Sequence, residues 1–199
     1  MEHLTIMSND GWRVHKFGGT SLASADCFRR VADILLDEQA ERQAVVVSAM
    51  GGMTDALLGL VTAAEQSADG IAAGLEAIEA RYRSTVESLI EQPAARATLL
   101  EGFTAELRDA SDVLHAIALV RSAADRSRDL VAGYGELWAA RLLATYLEQL
   151  VGEAGLSTPV RWLDARRLIV VEHGEMGPGV VWDLSRSNAE AHFDQHTVG

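Results

Sequence analysis

The sequence has one cysteine, Cys27, and no long apolar run. A single thiol excludes an internal disulfide framework and suits a reducing compartment. No stretch approaches the roughly 18 apolar residues that a membrane span needs. Basic residues are scarce: 17 lysines and arginines stand against 29 aspartates and glutamates, a formal charge of -12. Nucleic acids and anionic membrane surfaces favour basic faces, so neither is expected as a partner. Met1 to Asp10 is polar and acidic rather than a basic-then-apolar leader. These absences point to a soluble, cytoplasmic protein. What remains is 199 residues with 48% hydrophobic content, enough for the core of one domain or a large piece of one.

Residues 1–12 read as a flexible tail. Arg13 to Phe17 suits a short strand ended by Gly18-Gly19. Ser24 or Asp26 is placed to cap a helix in which Phe28, Val31, Ala32, Leu35 and Leu36 recur at helical spacing. Ala44 to Val47 is the kind of run found in a strand buried on both faces. Gly51-Gly52 breaks it, and Met53, Ala56, Leu57, Leu60, Val61 and Ala64 mark a second helical stripe. Strand, glycine turn and helix, given twice, predict an α/β layered fold with parallel strands. The next eighty residues, rich in Ala, Leu, Glu and Arg, predict helices over roughly 71–91, 95–120 and 123–151. A break in the last is expected near Gly133 or Gly135. Strands are expected at Val160 to Leu163, Leu168 to Val171 and Val180 to Leu184, with a loop from Gly174 to Gly179 and a helix from Ser185. No repeat or low-complexity linker interrupts the chain, which reads as cut short at its C-terminal end.

Three segments carry candidate chemistry. In Lys16-Phe17-Gly18-Gly19-Thr20-Ser21, a lysine at a strand end precedes two glycines and two hydroxyls. Glycines let backbone N–H groups approach a phosphate, a helix N-terminus adds a favourable dipole, and lysine supplies a point charge. The lysine precedes the glycines, so this is not a Walker A loop. A plain strand-to-helix turn with a surface lysine fits the residues equally well. Ser48 to Asp55 also lies between a strand and a helix, where parallel sheets bind ligands. Ser48 and Thr54 offer hydroxyls to a small polar substrate, and Thr54 suits an N-cap as well. Glu136, beside Gly135, could hold an amino group, or could be an acidic residue stabilised in a first helical turn.

Other residues read as structural. His15 would face away from Lys16 on its strand. His115 reads as a partly buried helix residue, and Trp138 and Trp162 as core. His192 and His196 stand four apart without a supporting acidic or cysteine framework, so no metal site is assigned.

Taken in order, these segments resemble the aspartokinase branch of the amino acid kinase family. Lys16 to Ser21 resembles its N-terminal signature. Val45-Val46-Val47-Ser48 with Gly51, Gly52 and Thr54 looks like its second strand and substrate loop. Tyr134-Gly135-Glu136-Leu137 is similar to its third motif, and Leu163-Asp164-Ala165-Arg166 resembles the strand that follows. The resemblance implies a three-layer αβα sandwich on a mainly parallel sheet, with residues 13–199 as the N-terminal portion of the catalytic domain. It implies transfer of the ATP γ-phosphate to the β-carboxylate of L-aspartate, giving 4-phospho-L-aspartate, at the head of lysine, threonine and methionine synthesis. Lys16 would then be catalytic, with Gly18, Gly19, Thr20 and Ser21 along the phosphate path. Ser48, Thr54 and Glu136 would hold aspartate, and Glu136 and Lys16 are expected to lie close together. Mg²⁺ would accompany ATP, and a homo-oligomer is expected of the full-length protein. The nucleotide-closing segments that the family carries further on are not found before Gly199, so the fragment alone is expected to be inactive. Fusion to homoserine dehydrogenase or diaminopimelate decarboxylase is one source of such a piece. The alternative is a non-catalytic remnant that binds an anion or a partner.

Overall fold

A computed structural model describes residues 3–7, 12–38, 42–174 and 177–194. It divides into two compact units, Met1–Val160 and Arg161–Gly199.

In the first unit, β1 (His3–Met7), β2 (Trp12–Phe17) and β3 (Arg42–Val47) form one sheet in the order β1-β2-β3. β2 and β3 run parallel, from Trp12 opposite Arg42 to Phe17 opposite Val47. Parallel neighbours need a crossover, and α1 (Ala25–Asp37) supplies it. Its start is set by Ser24, whose hydroxyl accepts from the Cys27 N–H at 3.4 Å, and it buries Phe28, Val31, Ala32 and Leu35. The opening segment corrects the tail reading. His3–Met7 pairs antiparallel with β2, from His3 opposite Phe17 to Met7 opposite Arg13. The polar composition of the first residues conceals Leu4-Thr5-Ile6, a run with ordinary strand propensity.

Four helices complete this unit: α2 (Met53–Ala64), α3 (Ile71–Leu89), α4 (Pro93–Val120) and α5 (Asp125–Glu153). α4 begins at Pro93, a residue that fits the first helical position because its missing N–H would have no partner there. α5 runs unbroken through Gly133 and Gly135, contrary to the expected break. Glycine costs a helix interior only about 1 kcal/mol, which packing on the buried Val131, Tyr134, Trp138 and Leu142 offsets. The core joins all these elements. At its centre Tyr82 stacks on Phe103 with centroids 4.3 Å apart, and Phe103 meets Trp138 edge-on at 4.6 Å. Trp138 is therefore core, as expected.

Side chains alternate along β2: His15 and Phe17 are buried and Lys16 is exposed. β3 follows the same phase, with Val45 and Val47 against the core and Val46 54% exposed. The expectation of burial on both faces thus fails for β3. A β-branched run signals a strand, but which faces are covered depends on the layers stacked on it, and these helices stack on one.

In the second unit, a 3-10 turn (Ala165–Arg167) precedes β4 (Val171–Gly174), β5 (Gly177–Val180) and α6 (Trp182–Asp194). Asp164 caps the turn through the Arg166 N–H at 3.0 Å. The segments read as strands at Val160 to Leu163 and Leu168 to Val171 are not strands; pairing starts at Val171. The expected loop from Gly174 to Gly179 lies within an antiparallel pair, Val171 opposite Val180. The strand expected at Val180 to Leu184 gives way to α6. A short strand exists only where a partner is available, and apolar residues alone do not reveal the partner. Trp162, read as core, is 38% exposed. Within this unit Ser185 is buried, its hydroxyl accepting from the Val170 N–H at 2.9 Å.

Candidate active site

The backbones of the three candidate segments meet at the C-terminal ends of β2 and β3, the end at which parallel sheets present ligand sites. Gly18 is extended, and the chain then turns tightly through a 3-10 turn (Gly19–Leu22), closed by the Ser21 N–H donating to Gly18 O at 2.9 Å. The Ser48 N–H donates to Phe17 O at 3.0 Å, which carries the β2–β3 ladder one step beyond the strands. The segment after β2 and the segment after β3 therefore leave the sheet side by side.

Glycines make their contact possible. A Cβ on Gly19 would lie 3.2 Å from Ala49 O and 3.6 Å from Gly51 Cα. One on Gly51 would lie 3.0 Å from both Gly19 O and Ala23 Cβ. The third segment reaches the same place: a Cβ on Gly135 would lie 2.9 Å from Ala49 Cβ and 3.4 Å from Met53 Cγ. Three segments far apart in sequence thus share one junction centred on Ala49 and Gly51.

Around this junction Lys16 and Thr20 are exposed, and Ser48, Thr54 and Glu136 are half-buried. Gly18 and Ser21 are buried. Lys16 is the only lysine in the sequence. Two structural alternatives are excluded. Thr54 is not the N-cap of α2, because Gly52 holds that position with φ of 76°, a left-handed conformation that glycine adopts without strain. Glu136 lies well inside α5, so first-turn stabilisation by the helix dipole does not explain it. Lys16 and Glu136, expected to lie close together, are not joined by an ion pair: among the described residues neither takes part in one.

The remaining histidines stay outside the junction. His15 is buried on the opposite face of β2 from Lys16 and lies parallel to Phe17 at 6.2 Å. His115 is exposed rather than partly buried, with Nδ1 2.7 Å from Ser111 O. His196 lies outside the described residues, which contain no group of three or more His, Cys, Asp or Glu able to hold a metal ion. No helix among them is long and apolar enough to cross a membrane.

Sequence reasoning passed over Arg81. From α3 its Nη2 donates to Gly51 O at 2.5 Å and to Ala23 O at 3.2 Å, one carbonyl from each loop. No sequence signal marks it among the arginines of that helix.

The sequence pattern of the amino acid kinase family matches residues 11–198. The chain is 32% identical over 171 residues to bifunctional aspartokinase/homoserine dehydrogenase 2, chloroplastic, of Arabidopsis thaliana, covering 86% of this chain and 18% of that protein. It is 36% identical over 167 residues to bifunctional aspartokinase/homoserine dehydrogenase 1, chloroplastic, of Zea mays, covering 83% and 17%. The chain therefore spans under a fifth of the length of these two relatives. Among solved structures, Escherichia coli aspartokinase III in complex with lysine and aspartate matches with a TM-score of 0.74 at 22% identity, over 91% of this chain and 37% of that one. The same enzyme in complex with aspartate and ADP matches with a TM-score of 0.67 at 26% identity, over 89% and 36%. That likeness carries the α/β fold, and the family pattern runs through all three segments that meet at the strand ends: the chain belongs to the amino acid kinase family.

Proposed function

We propose that the protein to which this chain contributes is an aspartate kinase, transferring the γ-phosphate of ATP to the β-carboxylate of L-aspartate to give 4-phospho-L-aspartate. The observation that carries this reading is the junction itself, where Gly19, Gly51 and Gly135 bring the three motifs into van der Waals contact. Relatives named as aspartokinases, and a structural neighbour crystallised with aspartate and ADP, support the substrate class.

Phosphoryl transfer gives a protein little covalent work, so catalysis rests on positioning and on charge placed where negative charge develops. Lys16, exposed at the strand end, is suited to follow the oxygens of the moving phosphoryl group. Gly18, Gly19 and Thr20 line its path. Ser21 is buried beneath them, which suits support of the turn from behind. Ser48 and Thr54 offer hydroxyls to the aspartate, and Glu136 a carboxylate to its ammonium group. Mg²⁺ would arrive with ATP, held mainly by phosphate oxygens and water as this ion prefers; the described residues gather no acidic cluster of their own for it.

Residues 1–199 alone are proposed to be inactive, because the nucleotide has to be gripped in line with the carboxylate and orientation accounts for about 7–11 kcal/mol of such barriers. A cytoplasmic location and a homo-oligomeric full-length enzyme belong to the same proposal. Of the two fusions considered, homoserine dehydrogenase is favoured by the named relatives. The test is to express the complete reading frame and supply L-aspartate, ATP, Mg²⁺ and hydroxylamine, which traps an acyl phosphate as its hydroxamate. Aspartate-dependent hydroxamate supports the proposal. Nucleotide or aspartate binding without hydroxamate would favour the non-catalytic remnant, and hydroxamate from L-glutamate alone would reassign the substrate.

A further inference from the structure

We infer that Arg81 is a positioning residue that holds the phosphate-side loop and the substrate-side loop at a fixed separation; this rests on the proposed assignment of those loops. The turn after β2 and the loop after β3 touch closely, but the Gly19–Gly51 approach is one of bare backbone, too close to admit a Cβ on either glycine without a shift. Such a contact sets a minimum distance and does little to prevent the loops from parting. Arg81 supplies the restraint. A single guanidinium nitrogen, Nη2, bridges Ala23 O in the first loop and Gly51 O in the second, at 3.2 and 2.5 Å. Hydrogen bonds from a charged donor are about twice as strong as neutral ones, and the loops cannot separate without breaking one of them.

The restraint is anchored from a rigid element. Arg81 precedes Tyr82, which is buried against Phe103 and Trp138 in the centre of the core. One turn further on, Thr85 Oγ donates to the Arg81 carbonyl at 3.0 Å. The Arg81 backbone is therefore fixed by the core while its side chain reaches out to the strand ends. Its guanidinium also lies beside Gly52, with Nη1 3.6 Å from the position a Cβ would take there. Gly52 starts α2, the helix that carries Thr54. Loosening Arg81 would thus shift Thr54 relative to Gly18–Thr20, and displacements of about 1 Å cost phosphoryl-transfer geometry heavily, on the order of a hundredfold.

The test uses the 199-residue chain, with hydrogen exchange read at single amides and L-aspartate binding read by chemical-shift titration. Arg81→Ala and Arg81→Gln are expected to speed exchange roughly tenfold or more at amides of 20–23 and of 51–54, both loops together. Amides in the middle of α4 and in the second half of α5 should be unchanged. Arg81→Lys should recover much of the protection, since both bonds come from one nitrogen and an ammonium has three donors. L-aspartate affinity should fall about tenfold in the alanine and glutamine variants and follow the same rescue. Unchanged exchange, acceleration in one loop only, or equal acceleration across the whole chain would each overturn the inference. If the parent chain binds no aspartate, the aspartate kinase reading is weakened, while exchange at the two loops still decides the role of Arg81.

Discussion

Gly19, Gly51 and Gly135 sit where an added Cβ would press on another segment at 2.9 to 3.2 Å, whereas Gly177 and Gly179 in the second unit meet nothing within 4 Å. On the page the two sets look alike, each a scatter of glycines beside short apolar runs. In three dimensions the first set is a packing requirement, and its absence of side chains is what lets two loops and a helix share one junction. The second set belongs to a two-stranded pair in open surroundings, where Gly179 has room for a side chain and Gly177 is required only by its left-handed φ of 98°. The contrast even appears within α5, because Gly133 faces open space and Gly135, two residues on, packs on Ala49.

The contrast breaks most visibly at Gly135. Gly135→Val should cost about 2–3 kcal/mol by overpacking against Ala49 and Met53, read as a lower urea midpoint. Adding Ala49→Gly should return part of that loss, as expected of residues in direct contact. An unchanged midpoint for Gly135→Val would show that α5 does not bear on the loop. Gly133→Ala should move stability the other way, by about 0.5–1 kcal/mol, because alanine favours the helix and has room. Gly179→Ala should change stability by no more than about 0.5 kcal/mol. A loss there as large as at Gly135 would erase the distinction between the two regions.

The smallest effect concerns the approach to α5. Glu65 Oε1 accepts from the Ala123 N–H at 3.0 Å and Oε2 from the Arg128 guanidinium at 2.5 Å. The Arg128 hydrogen bond, followed by that of Ala123, holds the Glu65 carboxyl below its ordinary range. A lowered folded-state pKa contributes stability that is fully present above the unfolded value and is lost as pH falls through the folded one. Glu65→Gln should therefore flatten the acid limb of stability slightly, measured as the difference between urea midpoints near pH 7 and near pH 3.5, on either side of the usual glutamate range. A steeper acid limb in that variant would contradict the pairing.

Much of this was legible in the sequence because it follows from periodicity. Of the α1 stripe Phe28, Val31, Ala32 and Leu35 are buried as their spacing predicts, and of the α2 stripe Met53, Leu57, Leu60, Val61 and Ala64, while Leu36 and Ala56 at the stripe edges are exposed. The alternation that buries His15 and exposes Lys16 was equally readable. What was hidden depends on partners remote in the chain. Gly135 read as a helix break because Ala49, which gives it a purpose, lies elsewhere in the sequence. Thr54 read as a cap because Gly52 could not be known to adopt a left-handed conformation. The strand at His3–Met7 and the β4–β5 pair exist only through neighbours that composition does not reveal. Arg81 was invisible for the same reason, since its role is defined by carbonyls 58 and 30 residues away.

The central claim is that the junction is a phosphoryl-transfer site with Lys16 at its catalytic point. The most direct measurement compares Lys16→Ala with the parent in the complete reading-frame product, by a coupled nucleotide assay at varied L-aspartate. Because the charge matters most as phosphoryl transfer proceeds, turnover should fall about a hundredfold or more while the aspartate KM moves little. Near-normal turnover, or a loss confined to KM, would contradict the account.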